Sequence, residues 1–241
     1  MRWDADQYDR FKQERELPFE DVVALIQRRP GLRVIDLGCG TGALTQKLAS
    51  LLPQADVLGI DSSAEMLAKV PGGLRVAQQT IESFADGRDE YDLVFSHAAL
   101  HWVDDHASLI PKLMARVVRG GQLVVQVPSN YGHRSFELIA EVAGWRRQMP
   151  VLGIAQYAQL LWASGGRDIT CYEKAYCHEL ADGEAIFEWG RGTALLPYVE
   201  RLPESERPAF IDAVRARFRR EWPTGPLLFT FRRTLFAATR V

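Results

Sequence analysis

Short apolar runs alternate with segments of helical period along the first 130 residues. Leu32–Leu37 (LRVIDL) reads as a buried strand running into Gly38-Cys39-Gly40-Thr41-Gly42. Ala43–Leu52 follows as a helix, with Leu44, Leu48 and Leu51/Leu52 on one stripe. Asp56–Asp61 (DVLGID) is a second strand, and Ser62-Ser63-Ala64-Glu65 after it has capping-box spacing, with Ser62 as the cap. Leu74–Gln79, Tyr91–His97 and Gln122–Pro128 read as the third, fourth and fifth strands. A helix around Leu109–Val118 precedes Gly120-Gly121, which reads as its stop. Strands that alternate with helices need crossover connections, so the pattern predicts an α/β fold with a parallel sheet covered on both faces.

The second half has a different rhythm. Ile169–His178 and Leu227–Thr239 look like strands, and between them lies a mostly helical stretch, roughly Gly183–Arg220. Phe210, Ile211, Val214 and Phe218 fit one helix face there. From Arg201 to Val241 nine Arg stand against four acidic residues, a bias that suits either a solvated helix face or a positive field beside an anionic substrate.

Composition narrows the class. The 241 residues are 47% hydrophobic and 25% charged, enough apolar content for a core, and the net charge of −2 offers no general attraction for nucleic acid. No apolar run approaches the roughly 20 residues of a membrane span, and the first 13 residues lack a signal-peptide core. Cys39, Cys171 and Cys177 are few, odd in number and not in metal-ligand spacing. If Cys171 and Cys177 share a strand, six residues at ~3.3 Å each hold them too far apart for a disulfide. The expectation is a reduced, soluble, cytoplasmic protein with no nucleic-acid or membrane partner.

The glycine loop carries the chemistry. It follows a strand and opens a helix, the context in which a GxG pattern is informative. Gly38-x-Gly40-x-x-Ala43 satisfies the permissive dinucleotide fingerprint. Asp36 weighs against that ligand, because a carboxylate beside the loop repels a pyrophosphate docked on the helix N-terminus. The same carboxylate attracts a cation, and S-adenosylmethionine has a sulfonium, an α-amino group and no phosphate. Asp36-x-Gly38-x-Gly40-x-Gly42 therefore favours S-adenosylmethionine over a nicotinamide dinucleotide. Asp61, at the end of the second strand, suits the two ribose hydroxyls of either nucleotide. Met66 is placed to pack on an adenine face or in the core.

These residues resemble those of the class I, Rossmann-like S-adenosylmethionine-dependent methyltransferases. Gln7-Tyr8-Asp9-Arg10-Phe11 with Glu14-Arg15, Ala98-Ala99-Leu100-His101-Trp102, Val125-Gln126-Val127-Pro128-Ser129-Asn130, Tyr176-Cys177-His178 and the stretch Trp189–Pro197 are similar to the trans-aconitate methyltransferase family. The resemblance spans nearly the whole chain and implies a doubly wound seven-stranded, mostly parallel sheet with an antiparallel last strand and a helical cap. It implies one methyltransferase domain over 1–241, with a core of about 30–130 plus strands 169–178 and 227–239, and a cap from 1–28 and about 183–222. It implies transfer of a methyl group from S-adenosylmethionine to a carboxylate of a small tricarboxylic acid, leaving S-adenosylhomocysteine, with no metal. Asp36 and Gly38 would border the methionine moiety, Asp61 the ribose, Ser62 and Met66 the adenosine, and Ser96 the methionine end.

Two departures stand out. Many relatives carry an acid after the third strand; here Gln78-Gln79-Thr80-Ile81 stands there, which hands the adenine contact to Gln79, Thr80 or backbone, with Ile81 beside them. Members of known specificity have an Arg before the Pro of Trp189–Pro197, where this chain has Leu196. That second departure motivates an alternative, a methyltransferase acting on another small-molecule or natural-product acceptor.

In-line methyl transfer from a sulfonium asks the protein mainly to position and desolvate the reactants. A carboxylic acid is already ionised at pH 7 and needs no base, whereas a phenol, amine or carbon acceptor more often does. His97 and His101, just beyond the fourth strand, are the base candidates, and His101 with Trp102 equally suits a pocket wall. His133 and His178 read as structural. His101 and Tyr8 are the catalytic candidates. Arg10, Arg15, Trp102, Asn130, Arg191 and Arg233 are the substrate-binding candidates, Arg being the natural fork for a carboxylate.

Overall fold

The computed structural model describes residues 12–241, with side chains from Leu17 onward. Tyr8 and Arg10 lie outside the described residues, and Arg15 is placed only as a backbone position in the first helix. The chain divides into two compact units. Residues 17–129, 150–174 and 233–241 form a sheet unit; residues 130–149 and 175–232, with 12–16, belong to a second.

The elements run α1 (Lys12–Val23), β1 (Arg33–Leu37), α2 (Ala43–Leu51), β2 (Asp56–Asp61), α3 (Ala64–Leu67), β3 (Arg75–Gln78), α4 (Ile81–Ala85), β4 (Tyr91–His97), a 3-10 turn (Leu100–Trp102), α5 (His106–Met114), β5 (Val117–Pro128), α6 (Arg134–Ala143), α7 (Ile154–Ala163), β6 (Gly166–Leu180), α8 (Gly183–Arg191), α9 (Leu196–Val199), α10 (Arg207–Glu221) and β7 (Leu227–Arg240). The seven strands lie in the order β3-β2-β1-β4-β5-β7-β6. The pairs β1–β2, β1–β4, β2–β3 and β4–β5 are parallel, and β7 runs antiparallel to β5, from Pro128↔Arg233 to Gln122↔Thr239. This is the doubly wound, mostly parallel sheet with an antiparallel last strand that the alternation and the resemblance predict. The order reverses at β1/β4, the switch point where open α/β sheets bind ligands.

The central strands are buried on both sides, which is why they read as unbroken apolar runs. On one face Ile35, Leu37, Val94, Val125 and Phe236 pack with Leu109, Ile110 and Leu113 of α5 and Tyr157 and Leu161 of α7. On the other, Val34, Leu93, Phe95, Val124 and Leu235 meet Phe19, Val22 and Val23 of α1 and Leu48 of α2. Each such side chain contributes about 1.5–3 kcal/mol by leaving water. The edge strand β6 is mostly exposed or half-buried, with only Gly166, Tyr176 and Leu180 buried. In the second unit, Leu138 and Ile139 of α6, Ile186 and Phe187 of α8, and Val214 and Phe218 of α10 form a separate core, with Phe210 and Ile211 packed against it as the helical period predicts.

Several local expectations are corrected. The cap of α3 is Ser63, whose hydroxyl accepts from Met66 N at 3.2 Å, because the Asp61 carboxylate takes the Ser63 N–H at 2.8 Å and delays the helix by one residue. The helix expected around Leu109–Val118 is His106–Met114, and Gly120-Gly121 is no helix stop: both glycines lie inside β5, where the pairing shifts register between Tyr91 and Leu93. Helices α6 and α7 occupy a region to which the sequence reading assigned no element. Cys171 and Cys177 both lie on β6, and none of the three cysteines is in a disulfide.

Candidate active site

The loop after β1 is tied to its neighbours before any ligand is considered. Gly38 N and Cys39 N both donate to Ile60 O, at 2.8 and 2.9 Å. Gly38 has φ +77° and a Cβ there would lie 2.2 Å from the Ala99 Cβ, while at Gly42, with φ +75°, it would meet Leu74 and Val70. Glycine is thus demanded by backbone conformation and by protein neighbours, and its presence alone does not name a ligand. Gly42 also caps α2 without a side chain, leaving that helix N-terminus with no side-chain acceptor of its own.

The two carboxylates of the loop have different settings. Asp36 is 4% exposed and accepts from Thr45 Oγ1 of α2 at 2.6 Å. Burial pushes its pKa up to about 6, with the Thr45 bond opposing and the Asp61 charge adding to the rise. A desolvated carboxylate with one neutral donor and an anionic neighbour is a place where a cation is stabilised. Asp61 instead accepts two backbone N–H groups, Gly40 N at 2.9 Å on Oδ2 and Ser63 N at 2.8 Å on Oδ1. Each oxygen keeps a lone-pair site, the acceptor pair that a vicinal diol requires. Met66 lies beside Gly40, 3.2 Å from where a Cβ would stand. Thr80 caps α4, accepting from Ser83 N at 3.1 Å, and Ile81 packs into the sheet core and approaches Gly38. Ser62 is exposed, and its carbonyl accepts from Gln78 Nε2 at 3.1 Å. Cys39 packs over Gly59, and burial with the nearby carboxylates pushes its thiol up to about 12, so it is no nucleophile.

The end of β4 meets this loop. Ser96 is fully buried and donates to Leu37 O at 3.0 Å. Ala98 has φ +52°, a conformation costly for a residue with a side chain, and its N–H donates to Gln126 O at 3.0 Å. Nothing in the sequence signals that strain. The His97 ring packs edge-to-face on Phe19 at 5.6 Å. Burial, then the Arg233 charge, holds its imidazole down to about 3, so His97 is neutral throughout the physiological range. His101, 8% exposed, and Trp102, 42% exposed, sit on the 3-10 turn with ring centroids 4.8 Å apart. Beneath that turn Leu152 N donates to Tyr157 Oη at 3.2 Å; the hydroxyl meets His106 Nδ1 at 2.5 Å, and Nε2 meets Leu100 O at 2.8 Å.

Of the acceptor-side candidates, Arg233 is 7% exposed on β7 within the sheet unit. Asn130 and Arg191 belong to the second unit. Asn130 is buried and its Oδ1 accepts from Arg232 N at 3.2 Å, while Arg191 pairs with Glu188 at 3.7 Å on the same helix. His133 caps α6, accepting from Ser135 N at 3.1 Å, the structural role expected of it. The sequence reading missed Gln126. It is fully buried on β5, and among the described residues neither its Oε1 nor its Nε2 has a hydrogen-bond partner. Such an amide group costs about 1–3 kcal/mol per unmade bond. Among the described residues, no group of three His, Cys, Asp or Glu side chains is placed to hold a metal, and no helix is long and apolar enough to cross a membrane.

Comparison with known proteins places this geometry. A family model described as a methyltransferase domain matches residues 34–121, from β1 into β5. Trans-aconitate 2-methyltransferase of Deinococcus radiodurans is 42% identical over 258 residues, covering 100% of this chain and 99% of that protein. The protein of the same name from Azoarcus sp. is 36% identical, covering 99% of each. Among solved structures, the YcgJ protein of Bacillus subtilis superposes with a TM-score of 0.60 at 14% identity over 94% of this chain and 99% of its own. Phosphoethanolamine N-methyltransferase 2 of Haemonchus contortus gives a TM-score of 0.58 at 15% identity over 93% of this chain, which spans 52% of that longer enzyme. The structural likenesses bear on the fold alone; the full-length sequence identity goes further, and by it this chain belongs to the trans-aconitate 2-methyltransferase family.

Proposed function

We propose that the protein transfers a methyl group from S-adenosylmethionine to a carboxylate of trans-aconitate, giving a methyl ester and S-adenosylhomocysteine. The observation that carries this reading is the 42% identity over the whole chain to a protein named for that reaction. The residues of the loop suit the cofactor. Asp61 keeps acceptor sites for the ribose hydroxyls, the buried Asp36 suits the cationic aminoacyl sulfonium end with Ser96 near it, and Ser62, Met66, Thr80 and Ile81 border the adenosine. The backbone of Gly38, Gly40 and Gly42 leaves the α2 N-terminus without a side-chain cap. When bound, S-adenosylmethionine supplies an electrophilic methyl on a leaving thioether.

The protein's work is then to hold, orient and dry the reactants. A carboxylate acceptor arrives ionised, so no residue needs to remove a proton, and the neutral His97 agrees with that economy. His101 and Tyr8 position the acceptor, with Trp102 as wall and Arg10, Arg15, Asn130, Arg191 and Arg233 as candidate anion donors. The same proposal sets the enzyme in the cytoplasm, where its unpaired cysteines stay reduced, as a monomer or small homo-oligomer working as one methyltransferase domain. A second reading, methylation of another small-molecule or natural-product acceptor, is favoured by Leu196 at the start of α9, the position where the family resemblance implies an Arg.

The test is incubation with methyl-labelled cofactor and a panel of tricarboxylates. The expected product is a labelled, alkali-labile ester. Label appearing only on amines or phenols would refute the carboxylate assignment.

A further inference from the structure

We propose that Gln126 is a binding residue for the methyl acceptor, its side-chain amide taking a carboxylate of a polycarboxylic acid together with the Arg233 guanidinium. The inference rests on the carboxylate reading above and deepens it by assigning a position that neither the glycine loop nor the candidate catalytic turn includes.

Gln126 stands on a central strand, at a site where apolar neighbours show what the fold itself prefers. Val124 on the same face of β5 and Leu235 directly opposite on β7 both belong to the apolar cluster under α1. A leucine or methionine at position 126 would join them. Instead the chain buries a primary amide whose oxygen and nitrogen both lack partners among the described residues. Buried polar groups are overwhelmingly hydrogen-bonded in folded proteins, so an amide bare at both ends marks a place meant for something else.

Register shows what surrounds it. His97 of β4 pairs directly with Gln126, so the two side chains share a face, and the His97 Nε2 is likewise buried without a partner among the described residues. Arg233 lies opposite Pro128, two residues nearer the carboxyl edge, on the same face. Asp36 of β1 pairs with Phe95, two residues before His97, and shares that face too. Four neighbouring strands thus present Asp36, His97, Gln126 and Arg233 as one diagonal polar row toward the sheet edge formed by the carboxyl ends of β1, β4 and β5. With three strand spacings of ~4.8 Å and a four-residue stagger of ~3.3 Å per residue, its charged ends are about 20 Å apart at the backbone. The anionic end suits a cationic methyl donor and the cationic end a polyanionic acceptor. The amide between them offers N–H donors to the acid without adding a charge. Phe19 closes the His97 side with an aromatic edge.

The experiment uses Gln126→Met, which keeps length and volume and removes both polar atoms. Trans-aconitate is titrated by calorimetry into the full-length protein saturated with S-adenosylhomocysteine, with methyl transfer measured in parallel. In the variant, acceptor affinity falls at least tenfold, S-adenosylhomocysteine affinity stays within twofold, and the thermal midpoint equals or exceeds that of the parent. The amide is then a ligand group and not a structural one. Gln126→Glu, which sets a carboxylate against the acid, lowers acceptor affinity further still. Acceptor binding by Gln126→Met within twofold of the parent overturns the proposal, as does failure of that variant to fold, which would mean that the amide supports the fold. The two readings fail separately. A parent that binds trans-aconitate through Gln126 without methylating it refutes the proposed reaction and keeps this site. A parent that methylates trans-aconitate with no dependence on Gln126 does the reverse, and a parent that does not bind the acid refutes this site.

Discussion

Replacing Asp36 with Asn is expected to make the ligand-free protein more stable and the enzyme worse. The carboxylate is 4% exposed, and burial lifts its pKa from 3.8 to about 6. Because the folded value lies above the unfolded one, the native state binds more protons than the unfolded state between those limits. Asp36 therefore destabilises the fold increasingly as pH rises from about 4 through 6, and the cost is fully present at pH 7.5. A shift of about two units corresponds to ~3 kcal/mol at pH 7.5 and about half of that at pH 5. The Asn amide oxygen still accepts the 2.6 Å bond from Thr45, so the substitution removes charge while keeping the contact. For a chain of this length ~3 kcal/mol corresponds to roughly 6–12 °C in thermal midpoint. Differential scanning calorimetry of parent and D36N from pH 4 to 8 measures it, and titration with S-adenosylhomocysteine measures the loss of affinity, expected to be about tenfold or more for a charge-assisted contact. An Asn variant less stable than the parent at pH 7.5, or a gain that does not shrink toward pH 4, would refute the electrostatic account.

Three further outcomes follow from local geometry. Gly38→Ala combines φ +77° with a Cβ 2.2 Å from Ala99, so the urea midpoint should drop by the equivalent of about 2–4 kcal/mol; an unchanged midpoint would contradict the packing. Tyr157→Phe strips partners from the Leu152 N–H and from His106 Nδ1 in a buried site, a loss of about 1–3 kcal/mol in equilibrium unfolding, and a neutral result would show that water replaces the hydroxyl. The His97 imidazole, held down to about 3, should show no inflection in its NMR shifts between pH 5 and 8, and one near 6 would place it in solvent.

The fold was largely legible because its strands are short apolar runs with hard boundaries. Strands β2 and β4 begin and end where the pattern predicts, and β5 and β7 fall within a few residues. The errors arose where a local rule had two solutions. Ser62 and Ser63 both precede a helical turn, and only the Asp61 carboxylate, by taking the second amide, selects Ser63 as the cap. Gly120-Gly121 after a helical run resembles a stop, yet the strand has already begun at Val117, and the pair belongs to an irregularity that depends on β4 across the sheet. Helices α6 and α7 carried readable signals in Leu138 and Ile139, in Tyr157 and Leu161, and in Gly144 and Gly153 at their ends.

The site divides along the same line. Asp36 and Asp61 were legible because a carboxylate beside a glycine loop constrains ligand charge whatever the rest of the chain does. Structure adds that Asp36 is desolvated and held by Thr45, so its effect on a cation is larger than that of an exposed acid. Gln126 was not legible, because Val124-Val125-Gln126-Val127 reads as one apolar run in which a single polar residue suggests only the solvent side of a strand. Its burial depends on Val124 and Leu235 being covered by α1, and its neighbours His97 and Arg233 come from positions 29 residues before and 107 after it. A sheet whose last strand returns antiparallel brings a late arginine into one row with an early aspartate three strands away, and the charge separation between them belongs to the topology of the sheet. A motif confined to one loop can recognise a donor. Recognition of an acceptor of opposite charge needs residues from strands that meet only when the chain is folded.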